Sequence, residues 1–157
     1  MAFFLIRADE PLPSGHLDIA HYRRIHHHLF QDVYEWAGEY RSVRIGKGGN
    51  WFCFPEYIPQ ALGQAFADYG PIDEIAKRSI REFAQLTAHF LAEINAVHPF
   101  REGNGRTQLT FLTMLAANAG YSVNDSILEP KEVLSAMIES FCGQEERLFR
   151  LVLAYIC

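Results

Sequence analysis

Residues 90–120 read FLAEINAVHPFREGNGRTQLTFLTMLAANAG, a polar loop between two apolar runs. Before the loop, apolar residues recur at helical spacing, and we expect one long amphipathic helix over residues 73–97. Pro99 disfavours helical geometry at the residue before it and therefore ends that helix. After the loop, residues 106–119 are apolar almost all round, which predicts a helix buried at the centre of a bundle.

The same spacing continues on both sides of this pair. It predicts a helix over residues 14–38, a second after Pro55, and two more near the C-terminus. Residues 40–54 instead alternate apolar and polar side chains around a glycine-rich turn, which predicts two short strands. The expected fold is all-α, a helical bundle with one β-hairpin at about residues 41–54.

Composition limits the classes of protein to consider. A chain of 157 residues with 49% hydrophobic residues is long enough for one core, so we expect residues 1–157 to form a single domain. The net charge of −5 argues against nucleic-acid or membrane-surface partners, which are polyanions. No apolar run approaches the length of a membrane span, and the opening residues lack the basic start of a signal peptide, so the expected location is the cytoplasm.

Residues 98–106, HPFREGNGR, combine the groups that phosphate chemistry requires. Gly103 and Gly105 let a ligand approach bare backbone N–H groups, and those groups open a helix whose dipole favours an anion. Asn104 can add a side-chain donor, and Arg106 can bind phosphate oxygens through two parallel hydrogen bonds. The loop therefore predicts a phosphate site.

Two further side chains extend this site to catalysis. Glu102 beside a phosphate is explained if its carboxylate binds Mg²⁺, which would neutralise both groups. His98 has an ordinary pKa near neutrality and can accept a hydroxyl proton during attack on phosphorus. The simpler interpretation is a capped helix start in which His98 only hydrogen-bonds a carbonyl; it does not explain why base, carboxylate and anion donors occur together.

The loop closely resembles the active-site motif of the Fic family, His-x-Phe-x-(Asp or Glu)-Gly-Asn-Gly-Arg-x-x-Arg. Other stretches are similar to that family: His28-Leu29-Phe30, Tyr34-Glu35-Trp36-Ala37-Gly38, and Gly46-Lys47-Gly48-Gly49 in the hairpin. The resemblance spans roughly residues 17–120.

The resemblance implies a Fic-type helical bundle and AMPylation, the transfer of AMP from ATP to a Ser, Thr or Tyr hydroxyl of a target protein with release of pyrophosphate. By position, His98 is the general base and Glu102 holds Mg²⁺ on the phosphates. Asn104 and the backbone from Gly103 to Gly105 hold the α-phosphate, and Arg106 holds the phosphates beyond it. By the same resemblance, Phe100 anchors the loop in the core.

The hairpin resembles the family's flap, which docks a target segment as an added strand. The flap residues expected to contact the target follow: Ile45, Lys47, Gly48 and Phe52.

One position departs from the family pattern, because the second Arg of the motif is Leu109 here. A charge-assisted hydrogen bond is worth roughly 1.5–3 kcal/mol, so its loss would weaken nucleotide binding about tenfold to a hundredfold. Two alternatives to AMPylation stay open. One is transfer of another phosphate-containing group, such as UMP, phosphocholine or a phosphoryl group; the other is a binding module with weakened turnover.

The family's usual inhibitory pattern, Ser or Thr followed four residues later by Glu and then Gly or Asn, does not occur in this sequence. We therefore expect regulation by a separate, antitoxin-like protein or by sequence outside this chain. Toxins and exported effectors both occur among proteins that resemble it.

Three consecutive histidines, His26 to His28, point about 100° apart on a helix and cannot share one metal ion. We expect them at the surface, with His28 as the one that is buried if any is.

Overall fold

The computed structural model describes residues 10–157, and helices make up most of that range. The helices are α1 (Ile19–Phe30), α2 (Ile58–Tyr69), α3 (Ile72–Ala76), α4 (Ile80–Val97), α5 (Asn104–Asn118), α6 (Pro130–Phe141) and α7 (Glu146–Ile156). Strands β1 (Gly46–Lys47) and β2 (Asn50–Trp51) lie between α1 and α2. The predicted all-α bundle with one hairpin is confirmed. Within the same range, no helix has both the length and the apolar character needed to cross a bilayer.

Helix α4 is the centre of the bundle, since it packs against α2, α5, α6 and α7. Its buried face includes Phe83, Phe90 and Ile94. Helix α5 packs on α1 and α4 and leaves one face, with Leu109 and Thr113, only partly buried. The prediction that residues 106–119 form the central helix is therefore wrong; that helix is apolar on several sides because one side lines a cavity.

Two predicted helices are shorter than their apolar patterns suggest. Helix α1 begins after Asp18, whose side chain accepts from the His21 N–H, and ends at Phe30 instead of continuing to residue 38. The predicted helix over residues 73–97 is two helices, α3 and α4. Ser79 caps the start of α4 by accepting from the Glu82 N–H at 3.2 Å, which stabilises a new helix start there.

The hairpin is narrow but well defined. Gly46 pairs with Trp51 and Lys47 with Asn50 in antiparallel register. The two turn residues, Gly48 and Gly49, have φ of 58° and 82°, the positive values that a type I′ turn requires at both central positions. Regular pairing covers only these four residues, so the strands are shorter than the alternation over residues 40–54 predicts.

Candidate functional site

A cavity of about 740 Å³ opens between the hairpin, the start of α5 and helix α6. The hairpin and the motif loop contribute mostly polar lining residues: Lys47, Gly48, Phe52, His98, Gly105 and Arg106. Helix α6 contributes apolar lining residues: Val133, Leu134, Met137, Ile138 and Phe141. The cavity lining therefore combines cationic and donor groups with an apolar surface, a combination that suits a nucleotide.

The imidazole of His98 is fixed on two sides. Its Nδ1 lies 2.9 Å from the backbone carbonyl oxygen of Asn95, and because a carbonyl only accepts, Nδ1 carries the proton. The lone pair of the neutral ring is then on Nε2. The Phe52 ring stacks on the imidazole with centroids 3.8 Å apart and planes 6° apart. His98 therefore presents a base of defined tautomer and orientation.

The surroundings of His98 also keep it unprotonated. Burial lowers its pKa from 6.5 to about 4, and the hydrogen bond to the Asn95 carbonyl opposes this only in part. The positive charges of Arg41 and Lys47 lower the pKa further. At neutral pH the ring is neutral and able to accept a proton.

The two glycines of the loop serve different purposes. Gly103 has φ of 82°, and a Cβ added there would lie 2.5 Å from ring carbons of Phe30, so the bend at the start of α5 needs glycine. Gly105 lies in the first helical turn, and a Cβ added there meets nothing within 4 Å. Gly105 borders the cavity, so its missing side chain leaves room for a ligand next to the backbone.

The backbone donors of this turn follow from helix geometry. Thr107 N–H donates to the Gly103 carbonyl at 3.1 Å and makes the first helical hydrogen bond of α5. The N–H groups of residues 104–106 precede it and have no acceptor within the helix. With the positive end of the helix dipole behind them, these amides form an anion site at the cavity wall.

Asn104 has a different set of contacts from the expected one. The residue is 3% exposed, its Oδ1 accepts from the Phe100 N–H at 3.0 Å, and its Nδ2 donates to the Phe100 carbonyl at 2.7 Å. The side chain thus closes the loop upon itself, and it is absent from the cavity wall. Phe100 is fully buried and lies in the core, as expected. The predicted phosphate contact of the Asn104 side chain remains a prediction.

Arg106 and Glu102 are both exposed, and only Arg106 borders the cavity. Glu102 lies in the loop just before the anion site and offers one carboxylate. Mg²⁺ commonly binds one or two carboxylates together with substrate phosphates, so this single exposed carboxylate fits the ion.

The predicted flap residues divide into two groups. Lys47, Gly48 and Phe52 border the cavity, whereas Ile45 does not. The Ile45 carbonyl accepts from the Phe52 N–H at 3.1 Å, which extends the hairpin beyond its two strand pairs. Phe52 has a contact that the sequence does not predict, the stack on His98 described above.

His26 corrects the expectation for the three histidines. It is fully buried, whereas His27 is exposed and His28 is intermediate. Its Nε2 donates to the Glu102 carbonyl at 2.8 Å, and its Nδ1 accepts from the Gly38 N–H at 2.8 Å. Burial is the main cause that lowers its pKa to about 4.

His26 also stacks on Phe100, with ring centroids 3.8 Å apart. His26 therefore stabilises the motif loop through contacts with two of its residues, Phe100 and Glu102. The sequence carries one signal for this position, because residue 26 follows Tyr22 by four residues on the buried face of α1.

The sequence does not predict a hydrogen-bonded pair of amide side chains at the cavity, Asn95 and Gln108. Gln108 is 1% exposed and borders the cavity, and its Nε2 donates to Asn95 Oδ1 at 3.3 Å. Within residues 10–157, Gln108 Oε1 has no hydrogen-bond partner. Asn95 thus contributes its backbone carbonyl to His98 and its side chain to Gln108.

Comparison with known proteins supplies a family. The model of the Fic/DOC family matches residues 16–116. A probable protein adenylyltransferase of Sinorhizobium fredii, y4lH, is 59% identical over 138 residues, which are 87% of this chain and 72% of that protein. The protein adenylyltransferase VbhT of Bartonella schoenbuchensis is 37% identical over 139 residues, 88% of this chain but only 29% of that much longer protein.

A solved structure agrees in fold. The BepC protein of Bartonella tribocorum, a VirB-translocated effector crystallised with bound AMPPNP, superposes with a TM-score of 0.83. The two sequences are 25% identical, and the match covers 98% of this chain and 82% of that one.

Proposed function

This chain belongs to the Fic/DOC family, and we propose that it is a protein adenylyltransferase, transferring AMP from ATP to a Ser, Thr or Tyr hydroxyl of a target protein. The resemblance carried by residues 98–106 is thereby confirmed at the level of the family. The observation that carries the proposal is the placement of a neutral, oriented His98 on the same cavity wall as the bare turn at Gly105.

The triphosphate would bind at the polar end of the cavity. The backbone N–H groups of residues 104–106 receive the α-phosphate, since they point outward at a helix start where a side chain is missing. Arg106 borders the same region and pairs with the phosphates beyond it. Lys47 adds a second cation from the hairpin. The nucleoside then extends toward the apolar wall formed by α6.

The transfer step uses His98 as general base. The acceptor hydroxyl of the target attacks the α-phosphorus, His98 Nε2 takes the hydroxyl proton, and pyrophosphate leaves with the bonding electrons. The Asn95 carbonyl stabilises the imidazolium that forms, because Nδ1–H continues to donate to it. A starting pKa of about 4 means that the ring need not lose a proton before it acts at neutral pH.

Glu102 would hold Mg²⁺, which neutralises phosphate charge and increases the electrophilicity of phosphorus when bound. His26 holds the Glu102 carbonyl and so restrains the backbone from which this carboxylate projects. Asn104 restrains the same loop through Phe100.

The hairpin would dock the target. β1 and β2 are both exposed, and a target segment in extended conformation can add to such an edge through backbone hydrogen bonds. Lys47 and Gly48 lie at the cavity, so a segment bound there would present its hydroxyl toward His98. We place this reaction in the cytoplasm, of the producing cell or of a cell that receives the protein, and expect a separate inhibitory protein to control it.

Leu109 gives a specific reason for second candidates. It borders the cavity at the position where the family motif carries its second Arg. A weaker hold on the terminal phosphate is compatible with a different donor, such as one supplying UMP, phosphocholine or a phosphoryl group, or with a binding module of low turnover. ATP and UTP, each labelled separately at the α- and γ-phosphates, distinguish the nucleotide donors. AMP or UMP transfer leaves only the α-label of ATP or of UTP on protein, phosphoryl transfer leaves the γ-label, and a binding module leaves neither.

The experiment compares the purified chain with His98→Ala and with His16→Ala, a matched control at an exposed histidine away from the cavity. Each is incubated with α-labelled ATP, Mg²⁺ and a cell lysate. We expect label on protein with the wild type and the control, none with His98→Ala, and nucleotide affinity retained in all three. If folded wild-type protein binds nucleotide and yet no protein in the lysate gains an adenylyl mass, the proposal is refuted.

A further inference from the structure

The guanidinium of Arg41 is buried next to the site and joins the hairpin to the motif loop through hydrogen bonds. Arg41 is 5% exposed and does not border the cavity. Its side chain donates to four backbone carbonyl oxygens. They belong to Val43 (2.8 Å), Cys53 (2.5 Å), Val97 (3.1 Å) and His98 (2.7 Å).

These four carbonyls belong to two different parts of the site. Val43 and Cys53 flank the hairpin on its two sides, so Arg41 closes the base of the flap. Val97 is the last residue of α4, and His98 follows it with φ of 49° and ψ of 65°. The last carbonyls of a helix lack N–H donors within the helix, and Arg41 supplies donors to the carbonyls of Val97 and His98.

The backbone adds two hydrogen bonds to the same junction. Arg41 N–H donates to the Pro99 carbonyl at 2.9 Å, and Cys53 N–H donates to the Ala96 carbonyl at 3.2 Å. Residues on both flanks of the hairpin are thus attached to residues 96–99. Among side chains, only Arg has five N–H donors spread in one plane, which suits it to join several carbonyls at once.

The left-handed backbone conformation of His98 needs contacts such as the hydrogen bond from Arg41 to hold it in place. A residue other than glycine rarely adopts positive φ, and such a conformation persists only where surrounding contacts impose it. The His98 carbonyl bonded to Arg41 Nε and the His98 ring bonded to the Asn95 carbonyl fix the residue at both ends. The direction of the imidazole therefore depends on the Arg41 contact.

We propose that Arg41 is a positioning residue that keeps the target-docking flap and the His98 imidazole in one fixed arrangement. The inference rests on the proposed function, because it concerns how a docked hydroxyl meets its base. Burial lowers the pKa of Arg41, and the guanidinium remains charged at neutral pH because its ordinary value is so high. The buried charge is accommodated by carbonyl dipoles from both segments.

This role predicts a division between binding and turnover. Arg41 does not itself line the cavity, and its side chain donates to the His98 backbone and not to Gly105 or Arg106, so we expect its replacement to leave the nucleotide contacts of those two residues in place. The relation between hydroxyl and base changes instead, and a displacement of about 1 Å in a reacting group can cost on the order of a hundredfold in rate. We expect kcat to fall by roughly tenfold to a hundredfold, with the KM for ATP changed less than about threefold.

The test compares Arg41→Gln, Arg41→Lys and Arg78→Gln, the last a control that removes an exposed guanidinium from the segment between α3 and α4. Hydrogen–deuterium exchange is followed for residues 43–54 and for α4. Nucleotide affinity is measured by calorimetry with a non-hydrolysable ATP analogue, and transfer with α-labelled ATP and lysate proteins.

In Arg41→Gln we expect faster exchange in residues 43–54, unchanged exchange in the middle of α4, near-normal nucleotide affinity and slow transfer. Arg41→Lys keeps the charge and part of the donor set, so its transfer rate should lie between those of Arg41→Gln and wild type. Should Arg41→Gln fail to fold, Arg41→Lys alone carries the test. Wild-type exchange and transfer rates in the folded variants, or equal losses of nucleotide affinity and transfer, would overturn the inference.

Failure of the proposed function gives a different result. A wild-type protein that binds nucleotide and never labels protein contradicts the adenylyltransferase, and exchange in residues 43–54 of the Arg41 variants still decides whether Arg41 anchors the hairpin.

Discussion

Replacing Gly105 with alanine separates the fold from the nucleotide site. A Cβ at this position meets nothing within 4 Å, and the residue lies in the first turn of α5, so alanine fits without strain. Glycine within a helix costs roughly 0.5–1 kcal/mol relative to alanine, so Gly105→Ala should be as stable as the wild type or slightly more stable. For a chain of this size, that gain raises the melting temperature by no more than about 2–4 °C.

The same methyl group projects at the cavity wall, where the phosphate has to approach the backbone. Loss of one charge-assisted hydrogen bond costs roughly 1.5–3 kcal/mol, which weakens nucleotide affinity about tenfold to a hundredfold. Thermal unfolding and calorimetric titration with a non-hydrolysable ATP analogue and Mg²⁺ measure the two effects on one preparation.

Two other glycines serve as controls. Gly63 lies within α2, away from the cavity, and a Cβ added there also meets nothing within 4 Å, so Gly63→Ala should gain similar stability and bind nucleotide normally. Gly103→Ala should lose stability, because its Cβ would meet the buried Phe30 ring and its φ is 82°. A Gly105→Ala protein that is folded and binds nucleotide as tightly as Gly63→Ala would refute the assignment of the phosphate site.

The remaining predictions concern acid stability and the departure at Leu109. Burial lowers the pKa of His26 from 6.5 to about 4. As pH falls, the histidine is therefore protonated in the unfolded chain before it is protonated in the folded one. The free energy of unfolding should fall between about pH 6.5 and pH 4, by at most roughly 3 kcal/mol for this one residue. Urea unfolding at several pH values should show a smaller slope in His26→Gln than in the wild type, and equal slopes would contradict the assignment. Leu109→Arg restores a cation at the cavity wall. It should tighten binding of a nucleoside triphosphate about tenfold to a hundredfold while changing AMP binding little. Calorimetry measures both affinities, and equal changes for the two nucleotides would mean that the terminal phosphate does not lie near residue 109.

The sequence predicts helix ends, turns and the motif loop well, because these features depend on residues that are neighbours in the chain. Pro99 ends α4 through the geometry of its neighbour, and Gly48 and Gly49 set the hairpin turn through their positive φ. The motif loop was placed at the start of a helix because its glycines and polar groups suit such a start. His98, Gly105 and Arg106 line one cavity in the structure, and their roles there stay predictions.

Contacts between distant segments had no such signal. Arg41 meets residues 97 and 98, and His26 meets residue 102, through packing of α1 and the hairpin on the loop. The sequence predicts surface positions for His26 to His28, because histidine is often exposed. It does not predict the burial of His26, because several residues that enclose it come from other parts of the chain. The apolar pattern does not predict the break between α3 and α4, because the apolar stripe continues across Ser79 while the cap at that residue starts a new helix.

The most direct measurement is a crystal structure of the chain with a non-hydrolysable ATP analogue and Mg²⁺. We expect the α-phosphate on the backbone N–H groups of residues 104–106, the metal ion on the Glu102 carboxylate, and His98 Nε2 facing the α-phosphorus from the side on which the hairpin lies. A nucleotide bound elsewhere, or a cavity in which His98 turns away from the phosphates, would contradict it.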